Sequence, residues 1–202
     1  MATLNLLVAT NNPGKVQELV ALLDSMPVNV MRPIDLGLSV DVAETGSTYA
    51  ENARLKARAF AARSGTLSLA DDSGLEIRAL NNWPGVYSSR CAGSNATDLD
   101  RQMLALARLR NRSEGERQAR FVCHVALAGP NGVLAESEGV VEGKIALEPV
   151  GTGGFGFDPL FIPEGFDQTF AELPAETKRE ISHRARAIKQ LVPVIERLAR
   201  QQ

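Results

Sequence analysis

A chain of 202 residues with 22 Lys and Arg against 24 Asp and Glu has no positive surplus with which to coat nucleic acid or an anionic membrane. At 44% apolar and 23% charged it has the composition of a soluble globular protein, long enough to bury a core without staples. Its two cysteines fit neither a disulfide framework nor a zinc site, and no apolar run reaches the length of a signal peptide or membrane span. A single domain over residues 1–202 in a reducing cytoplasm is the expectation.

Leu4 to Ala9 is an apolar run of strand length. Asn12 and Pro13 read as the N-cap and first residue of a helix that places Val16, Leu19, Val20 and Leu23 on one face. Backbone N–H groups at a strand-to-helix turn can hold an anion, and Lys15 adds a charge that a plain cap does not need. The spacing is not that of a Walker loop. Thr10, Asn11, Asn12, Pro13, Gly14 and Lys15 therefore read either as an anion cradle or as an ordinary capped helix.

Val28 to Met31 reads as the next strand, and Glu44 lies in the loop that follows. A second helix starts after Thr48, with Glu51 at capping-box spacing, and runs to about Arg63 before Gly65. "TLSLADDSG" reads as strand then turn, with Leu67, Leu69 and Asp71 on one face and Ser68, Ala70 and Asp72 on the other. The face of small residues leaves room for a ligand, which makes Asp72 the candidate for an open site and leaves Asp71 to hold the turn. An acidic pair that only bonds the loop backbone is the alternative. Two carboxylates such as Glu44 and Asp72, if within about 4 Å, repel by roughly 4 kcal/mol at an effective dielectric of about 20. A hard divalent cation such as Mg²⁺ would remove that repulsion. Glu44 reads equally well as a solvated loop acid.

Residues 97–109 read as a third helix, with Asp98 and Asp100 suited to its positive end. Between Arg120 and Val150 the pattern is of strands turning at Pro130 to Gly132, with Cys123 a buried thiol and His124 a structural histidine. In "GTGGFGFDPLF" four glycines allow close backbone approach to a ligand, and Phe155 and Phe157 offer rings for stacking. A tight turn with core aromatics fits the same residues. Pro159 biases Asp158 toward an extended backbone. In "AETKREISHRARA", Lys178, Arg179, His183 and Arg184 cluster at the start of the last helix, with Ser182 its N-cap. Cations there are unfavourable unless something negative or carbonyl-rich faces them, and a solvated basic face is the alternative. Pro193 should kink or interrupt this helix. Interleaved helices and strands followed by a hairpin-like middle indicate an α/β fold, a mixed sheet with an antiparallel extension.

Together "VATNNPGKVQEL", "TYAENARLKAR", "ADDSGLEI", "PGVYSSR", "GTGGFGFDPLF" and "EISHRA" resemble, in order from Leu7 to about Ala187, the inosine triphosphate pyrophosphatase family. The resemblance implies an elongated sheet with two lobes flanking a central cleft, and a homodimer. It also implies Mg²⁺-dependent hydrolysis of ITP, dITP and XTP to the monophosphate and pyrophosphate, clearing deaminated purines from the nucleotide pool. A purine nucleoside triphosphate would be the partner, with no nucleic acid and no membrane. By position, Thr10 to Lys15 and Lys56 would contact phosphates, and Glu44 and Asp72 would hold the metal, with Asp72 as general base. Ser73 and Arg90 would touch substrate. Phe155, Gly156, Phe157, Asp158, Lys178, His183 and Arg184 would form the base pocket. Asn11 stands where members often carry Gly, "FGFD" replaces the commoner "FGYD", and Cys91 replaces a frequent tyrosine. A house-cleaning pyrophosphatase for other modified nucleotides, or a nucleotide sensor that does not hydrolyse, are the rival readings.

Overall fold

The computed structural model of the chain describes residues 3–201. β1 (Leu4–Val8) leads into α1 (Pro13–Leu23), and β2 (Val28–Met31) follows. Asn12 caps α1 as its residue type demands: its side chain accepts the Lys15 N–H, and Pro13 starts the first turn without an N–H to satisfy. α2 (Tyr49–Ser64) opens on the expected capping box, in which Thr48 accepts the Glu51 N–H and Glu51 accepts the Thr48 N–H. It closes on Gly65 in the left-handed conformation, at φ 69°.

Seven strands form a mixed sheet in the order β2–β1–β3–β5–β6–β7, with β4 (Trp83–Pro84) paired to β3 (Leu67–Ile77). β1 runs parallel to both β2 and β3. β5 (Gln118–Gly129) and β6 (Gly132–Ile145) are joined by the turn at Pro130 and Asn131, and β7 (Phe161–Pro163) pairs antiparallel with β6. The mixed α/β sheet with an antiparallel extension is therefore what the chain forms.

The described residues divide into two compact units. One comprises residues 3–72, 123–139 and 184–201. Its core is made by Leu6, Val8, Leu69, Val125 and Leu127 from the strands, with Leu19 and Leu23 of α1 and Ile188, Leu191 and Ile195 of α5 (His183–Ala199). Each such side chain contributes roughly 1.5–3 kcal/mol on full burial. The second comprises residues 73–122 and 140–183, including α3 (Asp98–Arg108), and is filled by Leu75, Ile77, Phe121, Phe157, Phe161 and Phe170.

Three local expectations need correction. Asp71 and Asp72 are not at a strand end but in the interior of β3, which continues to Ile77 because Leu75 and Ile77 keep the buried alternation going. Lys178 and Arg179 do not start the last helix. They lie in the last turn of a separate helix, α4 (Ala175–Ile181), where cations suit the negative end, and Ser182 is an extended residue between α4 and α5. Asp158 is not extended: it begins the 3₁₀ turn Asp158–Leu160, held by its N–H to the Phe155 carbonyl and its carbonyl to the Ala171 N–H. The last helix, α5, holds Pro193 inside it and is not interrupted there. Pro193 has no N–H to offer the Lys189 carbonyl, and both residues are exposed.

Candidate functional site

In the first unit the acids and lysines sort into two adjoining clusters. Lys56, on α2, places its ammonium 2.7 Å from Glu44 Oε1 and 2.9 Å from Asp72 Oδ1. Asn52, one turn earlier on the same helix, donates from Nδ2 to Asp72 Oδ2 at 3.2 Å. Burial pushes the Asp72 carboxyl above its ordinary value, reinforced by the Glu44 charge and opposed by Lys56 and Lys15. Burial would lower the Lys56 ammonium, but the charges of Asp72, Asp71 and Glu44 outweigh it and hold it above its usual value.

Asp71 points the other way along β3, into the core side, and is fully buried. Its Oδ2 accepts Nε and Nη2 of Arg184 at 3.2 and 3.0 Å, and Lys15 Nζ lies 3.2 Å from the same oxygen. Arg184 also pairs with Glu18. Burial alone would raise the Asp71 carboxyl, yet Lys15, Arg184 and Lys56 together hold it well below the usual carboxylate range. The Cys123 thiol, 3.8 Å from Asp71 Oδ2, is buried and pushed up by that burial, in keeping with an inert core residue.

The turn before α1 is closed on itself. Thr10 Oγ1 accepts the Asn12 N–H, Asn12 Oδ1 accepts the Lys15 N–H, and the Asn12 carbonyl accepts the Val16 N–H. Asn11 donates to the Val40 carbonyl at 3.0 Å, tying the turn to the next loop. Gly14 occupies the second helical position.

The second unit gathers the glycine–aromatic loop. Asp158 accepts the Phe155 N–H at 2.7 Å and forms a buried ion pair with Lys178. Gly154 sits at φ +70°, and a Cβ there would fall 2.0 Å from Asp158 Oδ2, so only glycine fits. Asp98 accepts the Gly156 N–H, and Gln102 donates to the Gly156 carbonyl, so one face of α3 clamps both ends of the loop's peptides. The Lys178 ammonium lies 5.2 Å from the half-buried Phe155 ring and 5.6 Å from Phe170. His183 stacks on Phe121 at 4.7 Å with the rings 13° apart. Phe157 is a core residue rather than an open stacking surface. Ser73 is half-buried on β3, and Arg90 lies 5.0 Å over the Tyr87 ring.

Residues 6–194 match the model of the Ham1 family. The chain belongs to the Ham1 family. It is 44% identical to a dITP/XTP pyrophosphatase of Exiguobacterium sibiricum, over 93% of this chain and 95% of that protein. It is likewise 44% identical to one of Streptomyces coelicolor, over 96% and 98%. A Ham1 protein from Coxiella burnetii superimposes with a TM-score of 0.85 at 42% identity, covering 96% of this chain and 99% of that one. The Staphylococcus aureus Ham1 protein does so with 0.83 at 39%, again over 96% and 99%. The family resemblance read from the six motifs is thereby borne out.

Of the positions singled out in the sequence, Glu44, Lys56 and Asp72 meet in one cluster. Phe155, Asp158, Lys178 and His183 belong to the other unit. Arg184, which was grouped with the base pocket, has its guanidinium on Asp71 and Glu18 in the first unit instead. Glu18, Asn52, Gln102, Phe121 and Phe170 were not singled out, and Asp98 was read only as an acid suited to a helix end. Helical spacing could have found two of them: Asn52 is four residues before Lys56, and Glu18 three after Lys15.

Proposed function

We propose that this Ham1-family chain hydrolyses purine nucleoside triphosphates with a 6-oxo base (ITP, dITP and XTP) to the monophosphate and pyrophosphate. The observation that carries the chemistry is the convergence of Glu44 and Asp72 on the one Lys56 ammonium. Two carboxylates already focused on a cation are the hard oxygen donors a divalent ion takes. Among the described residues no group of three or more His, Cys, Asp or Glu is disposed around one point. That suits Mg²⁺, which keeps water and substrate phosphate as its remaining ligands, rather than an ion that needs an all-protein cage. Glu44 and Asp72 would hold it, and when bound it would offset charge on the phosphoryl group under attack.

Asp72 takes a proton from the attacking water, with its carboxylate held by Asn52 and Lys56. Lys56 and Lys15 supply positive charge toward the phosphates, where positioning and electrostatics carry most of the rate. Thr10 to Gly14 give the backbone turn at the α1 N-terminus, Ser73 and Arg90 contact the substrate, and Phe155, Gly156 and Asp158 with Lys178 and His183 recognise the base, Phe157 supporting their loop from the core. Arg184 acts on this arrangement through Asp71. A homodimer and a cytoplasmic setting belong to the same reading. Among the described residues no helix is long and apolar enough to cross a membrane.

The test is to incubate the protein with ITP, dITP, XTP, GTP and ATP, with and without Mg²⁺, and to quantify pyrophosphate and orthophosphate separately. Pyrophosphate from the first three alone, and only with Mg²⁺, is expected. Orthophosphate would mean that a different bond is cut. Turnover of methylated or halogenated nucleotides instead would mean a different base preference, and binding without turnover would mean a sensor.

A further inference from the structure

Asn52 is fully buried in α2, and both ends of its amide are used. Oδ1 accepts the Gly46 N–H at 2.8 Å, and Nδ2 donates to Asp72 Oδ2 at 3.2 Å. These two bonds fix which end of the amide is which, since a backbone N–H can only donate and a carboxylate can only accept. Gly46 is two residues from Glu44, so a single side chain ties the loop carrying one acid to the strand carrying the other. The approach is close: a Cβ on Gly46 would lie 2.6 Å from Glu51 Cβ and 2.7 Å from Asn52 Oδ1.

The two oxygens of Asp72 are thus assigned to two donors from one helix face, Oδ2 to Asn52 and Oδ1 to Lys56. Lys56 also reaches Glu44 and has a long flexible stem, so it does not by itself fix the carboxylate's rotation. The short amide of Asn52, anchored at its far end by the Gly46 backbone, does. A carboxylate that must act on one particular water loses rate steeply when it is turned or displaced, whereas phosphate and base contacts elsewhere are untouched.

We infer that Asn52 is a positioning residue that locks the rotation of Asp72 and sets the Glu44 loop against it. The inference rests on the hydrolytic reading above. Asn52→Asp separates the two bonds: it keeps an acceptor for the Gly46 N–H and replaces the donor to Asp72 by an oxygen. With XTP, kcat is expected to fall at least tenfold while KM stays within about threefold. Affinity for Mn²⁺ alone, read by electron paramagnetic resonance, is expected to change at least threefold because the carboxylate pair is rearranged. Asn52→Leu, which loses both bonds, should lose as much kcat and also melt at a lower temperature.

If wild type turns over none of the nucleotides, the hydrolytic reading fails. If wild type is active and folded Asn52→Asp keeps kcat within twofold and Mn²⁺ affinity unchanged, Asn52 is only a structural tie and the inference is overturned. Should Asn52→Asp not fold, the wild-type protein decides by NMR. Slow solvent exchange of the Asn52 side-chain amide supports the bond to Asp72, and rapid exchange overturns it.

Discussion

Arg184 lays two guanidinium nitrogens on one oxygen of Asp71, at 3.2 and 3.0 Å, with both side chains sealed from solvent. Asp71 precedes Asp72 on β3, so this ion pair sits directly behind the carboxylate proposed to act as base, and Lys15 is pinned by the same oxygen. A buried pair of this kind is weak evidence of net stabilisation, but removing one partner strands the other.

Asp71→Asn is therefore expected to lose about 3–5 kcal/mol of stability at neutral pH, because the cations of buried Arg184 and of Lys15 lose the carboxylate they share. The pH dependence has a definite sign. Asp71 is held below its unfolded value, so its contribution is complete above about pH 4 and is lost as pH falls from there toward the folded value. Urea unfolding at pH 7, 5 and 3.5 should show the same wild-type advantage at the first two and a smaller one at the third. An advantage that already shrinks between pH 7 and 5 would mean that Asp71 is not held ionised by this cluster.

Asp72→Asn should keep the fold and lose turnover. General-base assistance is worth about 10²–10⁴ in rate, and the amide cannot supply it. Asn keeps one acceptor but sets an NH₂ group against either Asn52 Nδ2 or Lys56, so a modest fall in melting temperature is expected in a protein that still folds. Pyrophosphate release from XTP at saturating substrate is the measurement, and activity within tenfold of wild type would remove Asp72 from the role of base.

How these residues could be read from the chain differs sharply between them. The capped ends of α1 and α2 were legible because they depend on neighbours: Asn12 with Lys15, Thr48 with Glu51. The alternation of Leu67, Leu69 and Asp71 against Ser68, Ala70 and Asp72 correctly put the two acids on opposite faces. What it missed was that "DSG" continues as strand, since the stabilising partners of residues 73–77 lie on other elements, and local turn chemistry lost to sheet pairing and burial. Ser182 was legible as the N-cap of the last helix, but nothing in "AETKREI" marks that stretch as a helix of its own, so Lys178 and Arg179 were counted with α5. The long-range partners of Asn52 and Arg184 were opaque in a different way: Asp72, Asp71 and Glu18 lie 20 to 166 residues away in sequence, and only the fold brings them in.

Lys56→Met should show the cost of leaving Glu44 and Asp72 without their shared ammonium. Lys56 is nearly buried, and so is Asp72, so the carboxylates would face each other with little solvent to screen them. The melting temperature should fall at neutral pH, and millimolar Mg²⁺ should raise it more in Lys56→Met than in wild type, where the lysine already offsets one of the two charges. Equal Mg²⁺ effects in the two proteins would argue that the ion does not enter between these acids. Turnover should fall at least tenfold even at saturating Mg²⁺, because the lysine's charge toward the phosphates is lost.

Phe155→Ala tests base recognition in the second unit without disturbing its core. The ring is half-buried, and the loop's backbone is held independently by Asp158 on the Phe155 N–H and by Asp98 and Gln102 on Gly156. Truncation therefore removes a stacking surface rather than a structural anchor, and the melting temperature should stay within about 3 °C of wild type, as expected for a change under roughly 1 kcal/mol in a chain of this size. Stacking of a base on an aromatic ring is worth about 1–3 kcal/mol, which is roughly a 5- to 150-fold rise in KM for XTP. The kcat should stay within threefold, since the residues proposed to act on the reacting phosphates belong to the first unit. Phe155→Tyr should retain wild-type KM and Phe155→Leu should not, because the leucine keeps apolar bulk but lacks a π-face. Equal KM values for Leu and Phe at this position would show that the side chain contributes only volume, and the base would then have to be recognised elsewhere in the unit.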